Sequence, residues 1–355
     1  MKDVAGLARV SKMTVSRALA RPDSVSAETR KRVMRAIKEL DYVPDRVAGA
    51  LSSRKTGFVG LILPTLTNAN FAGTAQGLAD SLREENCQLL ISYTLYDVEE
   101  EERQIRALLT RRPDAIVILG TNHTPATVEI LRRAHIPVVE IWDLPDEAIG
   151  HVVGFSNWEA GYRAAQHLIS LGHRKIGAIG HDADTAILDA RGENRLRGFS
   201  AALREAGLSD EHIVRTMLAP ASFEQGSSGL ALMLRHAPDI EAIFAVADVP
   251  AFGALMECHR RRIRVPEDIS LLGFGDFDLS RQCVPSLSTI RCDVAEIGRR
   301  TGEVLRPFLR GEADPSTAAP RREVIRFELI HRETTAVARR LLGQEGRGGT
   351  EEKDL

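Results

Sequence analysis

From Phe58 onward the chain repeats one pattern, and that pattern leaves it few folds. A short, continuous apolar run is followed by a stretch of helical periodicity and then by another apolar run. Phe58–Leu63 opens the series; Gln88–Ser92, Ala115–Leu119, Pro137–Ile141, Val152–Phe155, Lys175–Ile179, Ala242–Ala247 and Ile269–Phe274 continue it. Runs as apolar as Phe58–Leu63 suit strands buried on both faces, as in parallel sheets. Between them lie helical stretches at 71–86, 98–111, 157–171, 189–206 and 250–262. Strand, helix, strand in this order predicts parallel sheets covered by helices on both sides. The set is large enough for two α/β subdomains, and ligands of such sheets bind outside the carboxyl ends of the strands.

The first 56 residues obey a different rule. Asp3–Ala8 reads as a short helix with Val4, Ala5 and Ala8 inward, and Arg9-Val10-Ser11 as a turn. Ser11 is a natural N-cap for a second helix, because its hydroxyl can accept from first-turn N–H groups. In that helix Val15, Ala18 and Leu19 fall on one face, leaving Lys12, Met13, Ser16 and Arg17 outward. Ser26 caps a third helix with Glu28 in its first turn, where the macrodipole favours an acid; Val33, Ile37 and Leu40 line its inner face. The second helix has the make-up of a recognition helix, whose first turn meets base edges in the major groove. Arg17 can pair with a guanine edge, Lys12 with a base or a phosphate, and Met13 with a thymine methyl. Thr14 and Ser16 offer short hydroxyls to phosphate oxygens. An amphipathic surface helix with a basic face would read the same way in isolation. Charge favours the first reading: residues 1–56 carry 13 Lys and Arg against six Asp and Glu, while the remainder is acidic, as a domain that meets a polyanion requires.

Other classes find little support. The four cysteines, Cys87, Cys258, Cys283 and Cys292, form no C-x-x-C pair and no Cys/His ligand spacing, so neither a metal site nor a disulfide framework is expected. Phosphate-loop, nucleophile-elbow, Cys–His and zinc-protease signatures are missing, and Gly273-x-Gly275 lacks the rest of a dinucleotide fingerprint. No enzyme, catalytic residue or cofactor is predicted. Without an apolar leader or a membrane-length apolar run, the expected address is cytoplasmic.

In their order, Asp3-Val4-Ala5, Val10-Ser11, Thr14-Val15-Ser16-Arg17, Val25-Ser26, Thr29-Arg30, Leu40-x-Tyr42-x-Pro44, Arg46-x-Ala48-x-x-Leu51, Val265-Pro266-x-Asp268-Ile269 and Ser288-Thr289-Ile290 resemble the lactose-repressor family of transcription regulators over about 3–335. Within it, Ser11–Arg17, Leu63–Asn68, His123-Thr124-Pro125, Pro137–Glu140 and Gly154–Asn157 are most similar to the gluconate repressors. The resemblance implies an N-terminal all-α helix-turn-helix domain over 1–44 and a hinge helix or linker over 45–56. An α/β periplasmic-binding-protein-like domain of two parallel-sheet subdomains follows over 57–340. The subdomains would comprise approximately 57–156 with 291–323 and 157–290 with 324–340, leaving 341–355 as a disordered tail. It further implies a homodimer, or a higher oligomer, on a pseudo-palindromic double-stranded operator. Leu51 would wedge into the minor groove with Ala48 beside it, trading unstacking for a bend.

By the same resemblance the effector, a sugar acid such as gluconate, lies between the subdomains. Arg195 matches the family's effector-contacting basic position, and a guanidinium suits a carboxylate; Arg191 and Arg197 are read as lying on other faces of that helix. Asn68 and Phe71 match cleft-lining positions. Asp248 and Asp276, at strand ends, are placed to meet hydroxyls; Glu140, Trp142, Asp143 and His123 are further strand-end candidates. The chain departs from the family at Arg9, which replaces a turn glycine, and at Asp45, where Asn is usual. Met1 stands only two residues before Asp3, without the usual cap of the first helix, and Ala247 and Gly275 replace polar residues of the cleft. The resulting expectation is a repressor whose operator affinity a sugar acid modulates. A corepressor-dependent regulator, a stand-alone sugar-binding protein and a DNA-binding protein with a vestigial cleft are the alternatives.

Overall fold

The computed structural model describes residues 1–20, 22–42, 55–182, 187–339 and 341. Ala48, Leu51 and nearly all of the tail at 341–355 lie outside the described residues. The chain forms two compact units, Met1–Gly57 and Phe58–Leu355.

The small unit holds helices α1 (Lys2–Ala8), α2 (Lys12–Ala20) and α3 (Ala27–Glu39), with a 3-10 turn at Pro22–Ser24. Ser11 accepts from Thr14 N at 3.1 Å, and Ser26 caps α3 by accepting from Thr29 N. Arg9 adopts the left-handed conformation, φ 53°, that the turn demands, at a cost of roughly 1 kcal/mol for a non-glycine residue. Val4, Ala5, Ala8, Val15, Ala18, Val33 and Ala36 form the buried centre. Leu40 does not join it: as the C-cap of α3 it lies past the last inward turn and is 42 % exposed.

In the large unit the strands divide between two six-stranded sheets. The first contains β1 (Phe58–Leu63), β2 (Gln88–Tyr93), β3 (Ala115–Leu119), β4 (Val138–Ile141), β5 (His151–Gly154) and β11 (Arg322–Val324), in the order β11-β5-β4-β3-β1-β2, all parallel. The second contains β6 (Ile176–Gly180), β7 (Ile213–Arg215), β8 (Ala242–Ala245), β9 (Ser270–Phe274), β10 (Ser288–Cys292) and β12 (Phe327–Ile330), in the order β12-β10-β9-β8-β6-β7. Only β12, against β10, runs antiparallel. The chain crosses between sheets after β5, β10 and β11. Phe155, at the first crossing, packs against Trp142, Phe274 and Phe327 and joins the cores of both halves.

Helices α4 (Ala69–Arg83), α5 (Val98–Leu109) and α6 (Pro125–Arg133) serve the first half; α7 (Asn157–Ser170), α8 (Ala190–Glu205), α9 (Phe223–His236), α10 (Asp248–Arg261) and α11 (Asp278–Gln282) serve the second. Helix α12 (Val294–Arg310) returns to pack on α4. Helices α7 and α8 touch backbone to backbone at Gly161 and Gly198. A Cβ at Gly161 would stand 2.8 Å from Arg195 Cα, and one at Gly198 would stand 3.0 Å from Tyr162 N. Glycine is required here for close approach, and that approach sets the depth of α8 and of Arg195 on it.

Candidate effector site and DNA-reading helix

On α2 the buried row Val15 and Ala18 turns Lys12, Met13, Ser16 and Arg17 to the surface, with Met13 64 % exposed. Thr14 is only half exposed, and its hydroxyl bonds to Ser11 Oγ at 2.9 Å, so it helps build the cap. The face therefore presents two cations, a thioether and a hydroxyl on a helix whose first turn is held by Ser11.

Between the two sheets the site is built on α8. Arg195 is buried; its Nη1 donates to Asn157 Oδ1 at 2.5 Å, and its guanidinium lies 4.1 Å from the Phe274 ring centroid. Its Nη2 stands 3.8 Å from Asp189 Oδ2, and among the described residues its Nε has no hydrogen-bond partner. Burial pulls the Arg195 pKa below its ordinary value despite the nearby Asp189 charge. Burial works to raise the Asp189 carboxyl, but Arg191 and Arg195 beside it more than reverse this and hold it at about 2. A buried guanidinium with spare N–H groups is costly unless a charged partner satisfies it.

The first sheet supplies the opposite wall. Phe71 on α4 meets Trp142 edge-on at 5.2 Å, and Trp142 Nε1 donates to Thr74 Oγ1 at 3.1 Å. Trp142 holds a left-handed φ of 74°, strain of the kind found at binding sites. Its backbone is pinned by Asn157 Nδ2, which donates to Trp142 O at 2.8 Å. Asn194 Nδ2 donates to Asp143 Oδ2 at 3.3 Å. Phe71, Trp142, Asp143 and Arg195 thus come together from both halves. A cavity of about 40 Å³ between Pro64, Tyr96, Glu101, Thr121 and Arg191 opens beside them, enough for a few waters, each needing roughly 10–15 Å³.

Other candidates lie elsewhere. Asn68 caps α4, accepting from Asn70 N at 2.9 Å. Asn70 does the bridging instead: its Nδ2 donates to Gly275 O at 3.0 Å, across 205 residues of chain. Asp248 is fully buried, and its oxygens are spent on Thr289 Oγ1 (2.6 Å), Ser280 Oγ (2.7 Å) and Phe277 N (3.0 Å). The hydroxyls it meets are the chain's own, which corrects the reading of a strand-end acid open to a ligand. Burial raises its pKa. Asp276 accepts from Arg332 Nη2 at 2.6 Å, with Arg291 and Arg281 at 3.6 and 3.7 Å. It lines a second cavity of about 670 Å³ with Asn70, Gly275 and Arg326. His123 and Glu140 belong to a buried cluster with Glu101: His123 Nδ1 lies 2.6 Å from Glu101 Oε1, and Nε2 lies 3.8 Å from Glu140 Oε1.

The placement of Arg191 also corrects the sequence reading. It shares a face with Arg195, one turn away; Arg197 alone points outward, towards Glu193. Arg191 packs over Phe71 (5.0 Å) and Tyr96 (5.8 Å). Its spacing of four from Arg195 was the available signal. Tyr96, Asn157 and Asn70 carried none, since their partners are remote in sequence; Asp189, two residues before Arg191 at the start of the helix, was open to the same local spacing argument. No group of three His, Cys, Asp or Glu among the described residues is arranged to hold a metal.

A helix-turn-helix unit joined in one chain to a two-sheet unit whose charged, aromatic-walled site lies between the sheets defines a DNA-binding regulator with a ligand-binding domain. Residues 1–45 match the model of bacterial regulatory proteins of the lacI family, and residues 165–335 match that of a periplasmic binding protein-like domain. The chain is 35 % identical to the HTH-type transcriptional regulator GntR of Pseudomonas aeruginosa, over 94 % of this chain and 95 % of that protein. Among solved structures it superposes on a lacI-family regulator from Silicibacter pomeroyi with a TM-score of 0.84 at 32 % identity, covering 94 % and 98 % of the two chains. The lac repressor dimer bound to operator, at 24 % identity and a TM-score of 0.80 over 94 % and 98 % of the chains, shares the fold. The chain belongs to the lacI family of bacterial regulatory proteins and is a DNA-binding transcriptional regulator. No helix among the described residues is long and apolar enough to cross a membrane.

Proposed function

We propose that this repressor, as a homodimer, holds a pseudo-palindromic operator and releases it when a sugar acid, gluconate, binds between its subdomains. The observation that carries the reading is Arg195, a buried guanidinium with an unspent Nε beside aromatic walls. A carboxylate accepts from such a fork in two places, and Phe71 and Trp142 would pack the carbon skeleton. Asn194 and Asp143 supply polar atoms for hydroxyls, and Asp276 offers a further carboxylate oxygen from the neighbouring cavity. Asp248 acts through the loop it braces at 277–280. In the operator-reading unit Lys12, Met13, Ser16 and Arg17 meet base edges and phosphates, Thr14 supports them, and Ala48 and Leu51 enter the minor groove. The resemblance of Ser11–Arg17 to gluconate-repressor recognition helices, together with the GntR relative, supports gluconate over neutral sugars.

The mechanism is linkage. An effector that favours the subdomain arrangement in which the two hinges part must weaken operator binding by as much as the operator weakens effector binding. Such coupling is typically about 1–3 kcal/mol. The test is fluorescence anisotropy of the protein on a palindromic gluconate-type operator at fixed salt, with and without gluconate. Binding well above that to a scrambled duplex, weakened by gluconate, is the expected result. Operator binding that ignores gluconate would overturn the effector assignment, and binding strengthened by it would overturn the sign.

A further inference from the structure

The carboxylate between the two arginines of α8 is shared unequally. Arg191 donates to Asp189 Oδ1 from Nε at 3.3 Å and from Nη2 at 3.1 Å. Arg195 Nη2 stands 3.8 Å from Oδ2, beyond hydrogen-bond reach yet close enough for strong Coulomb attraction. Asp189 occupies the N-cap position of α8 but makes no side-chain cap bond. An aspartate at that position normally accepts from first-turn N–H groups; this one is turned towards the guanidiniums. Arg191, stacked on Phe71 and Tyr96, is what keeps it there. Asp143, held by Leu144 N and Asn194, is the other acid facing Arg195. His181 Nε2 lies 4.0 Å from Asp189 Oδ2, but burial holds its pKa below the ordinary value and keeps it uncharged at neutral pH. Two cations and two anions thus already balance, so a ligand carboxylate on Arg195 brings the cluster to a net single negative charge.

We propose that Asp189 is the specificity-determining residue of the acid site: held off Arg195 by Arg191, it leaves room for one negative charge and repels a second. The inference rests on the reading that Arg195 receives the effector's carboxylate. It names the ligand class more narrowly, as a monocarboxylate free of phosphate near its acid end. Arg191 and Asp189 then have opposite effects. Removing the Asp189 charge removes a competitor for Arg195, so anions bind more tightly and the bar to dianions falls. Removing Arg191 frees Asp189 to close on Arg195, so the acid site fills from within.

The test uses the full chain and its Asp189→Asn and Arg191→Gln variants; Asn suits an N-cap position as well as Asp does. Gluconate binding is followed by calorimetry, and melting temperature is followed against inorganic phosphate at pH 8, where the probe is dianionic. Asp189→Asn should bind gluconate about tenfold more tightly and gain a phosphate-dependent rise in melting temperature that the parent protein lacks. Arg191→Gln should bind gluconate at least tenfold more weakly. A merely structural role would weaken both variants and leave both indifferent to phosphate, and that result overturns the proposal. If the parent protein fails to bind gluconate, the effector reading falls. The phosphate response of Asp189→Asn then decides the charge filter by itself, as it does if Arg191→Gln does not fold.

Discussion

Replacing Gly161 by alanine should displace the effector site without touching it. The new Cβ would stand 2.8 Å from Arg195 Cα and press on the backbone carbonyl beside it. Carbon atoms rest at about 3.5–4.0 Å, and the carbonyl carbon and oxygen of Arg195 lie closer to the new Cβ than its Cα does, so α8 must retreat from α7 by more than about 1 Å. The obstacle is backbone on a packed helix and cannot rotate aside as a side chain would. Overpacking of this kind costs about 1–3 kcal/mol, and the better helix propensity of alanine returns about 1 kcal/mol. A net loss of up to about 2 kcal/mol should lower the melting temperature by up to roughly 8 °C for a unit of this size. Function should suffer more, because a binding fork must be held to within about 0.5 Å. Calorimetric titration should show effector affinity falling at least tenfold, with operator binding retained. Gly6→Ala is the control: nothing lies within 4 Å of the added Cβ, so it should be neutral or stabilising by up to about 1 kcal/mol. Gly161→Ala with unchanged melting temperature and effector affinity would refute the argument that this contact sets the depth of Arg195.

Three further outcomes are expected. Arg17→Ala should remove about 1–3 kcal/mol of discrimination between operator and mismatched duplex, measured by competition anisotropy, while effector binding persists; unchanged preference would discard α2 as the reading helix. Asp248→Ala strands the Phe277 N–H and two hydroxyls in the core, and should cost at least about 3 kcal/mol in urea denaturation, at about 1–3 kcal/mol for each buried donor left unsatisfied; a loss below about 1 kcal/mol would mean that the loop rearranges freely. His123→Gln should change the pH profile of stability. Burial lowers the His123 pKa, but the Glu101 hydrogen bond and the charges of Glu101 and Glu140 outweigh it, so the folded-state value lies above that of the unfolded chain. Its stabilisation is therefore complete below about pH 6.5 and is lost as the pH rises through the folded-state value. The melting-temperature gap between parent and variant should shrink between pH 6 and 9, and a gap that widens would reverse the assignment.

Much of this protein is decided within a few residues of chain. Eight of the nine strands from Phe58 to Phe274 lie within one or two residues of the apolar runs that announce them, because sustained apolarity over so short a length has few solutions; the three-residue edge strand β7 (Ile213–Arg215) had no such run. Ser11 and Ser26 cap the helices they precede, since a cap needs partners only three residues away. Arg195 and Phe71, singled out by family position, are both buried in the proposed site. Tertiary structure decided what faces what. Arg191 joins Arg195 because both reach Asp189 across the start of α8. Asp248 turns from ligand acid to structural brace because Ser280 and Thr289, 32 and 41 residues away, bring hydroxyls to it. Asn70 closes on Gly275 because two sheets built from interleaved stretches of chain are stacked with their strand ends together. Periodicity and capping are short-range and can be read from the order of residues. The partner of a buried polar group is chosen by where the sheets meet, and only the folded chain brings those atoms within 3 Å.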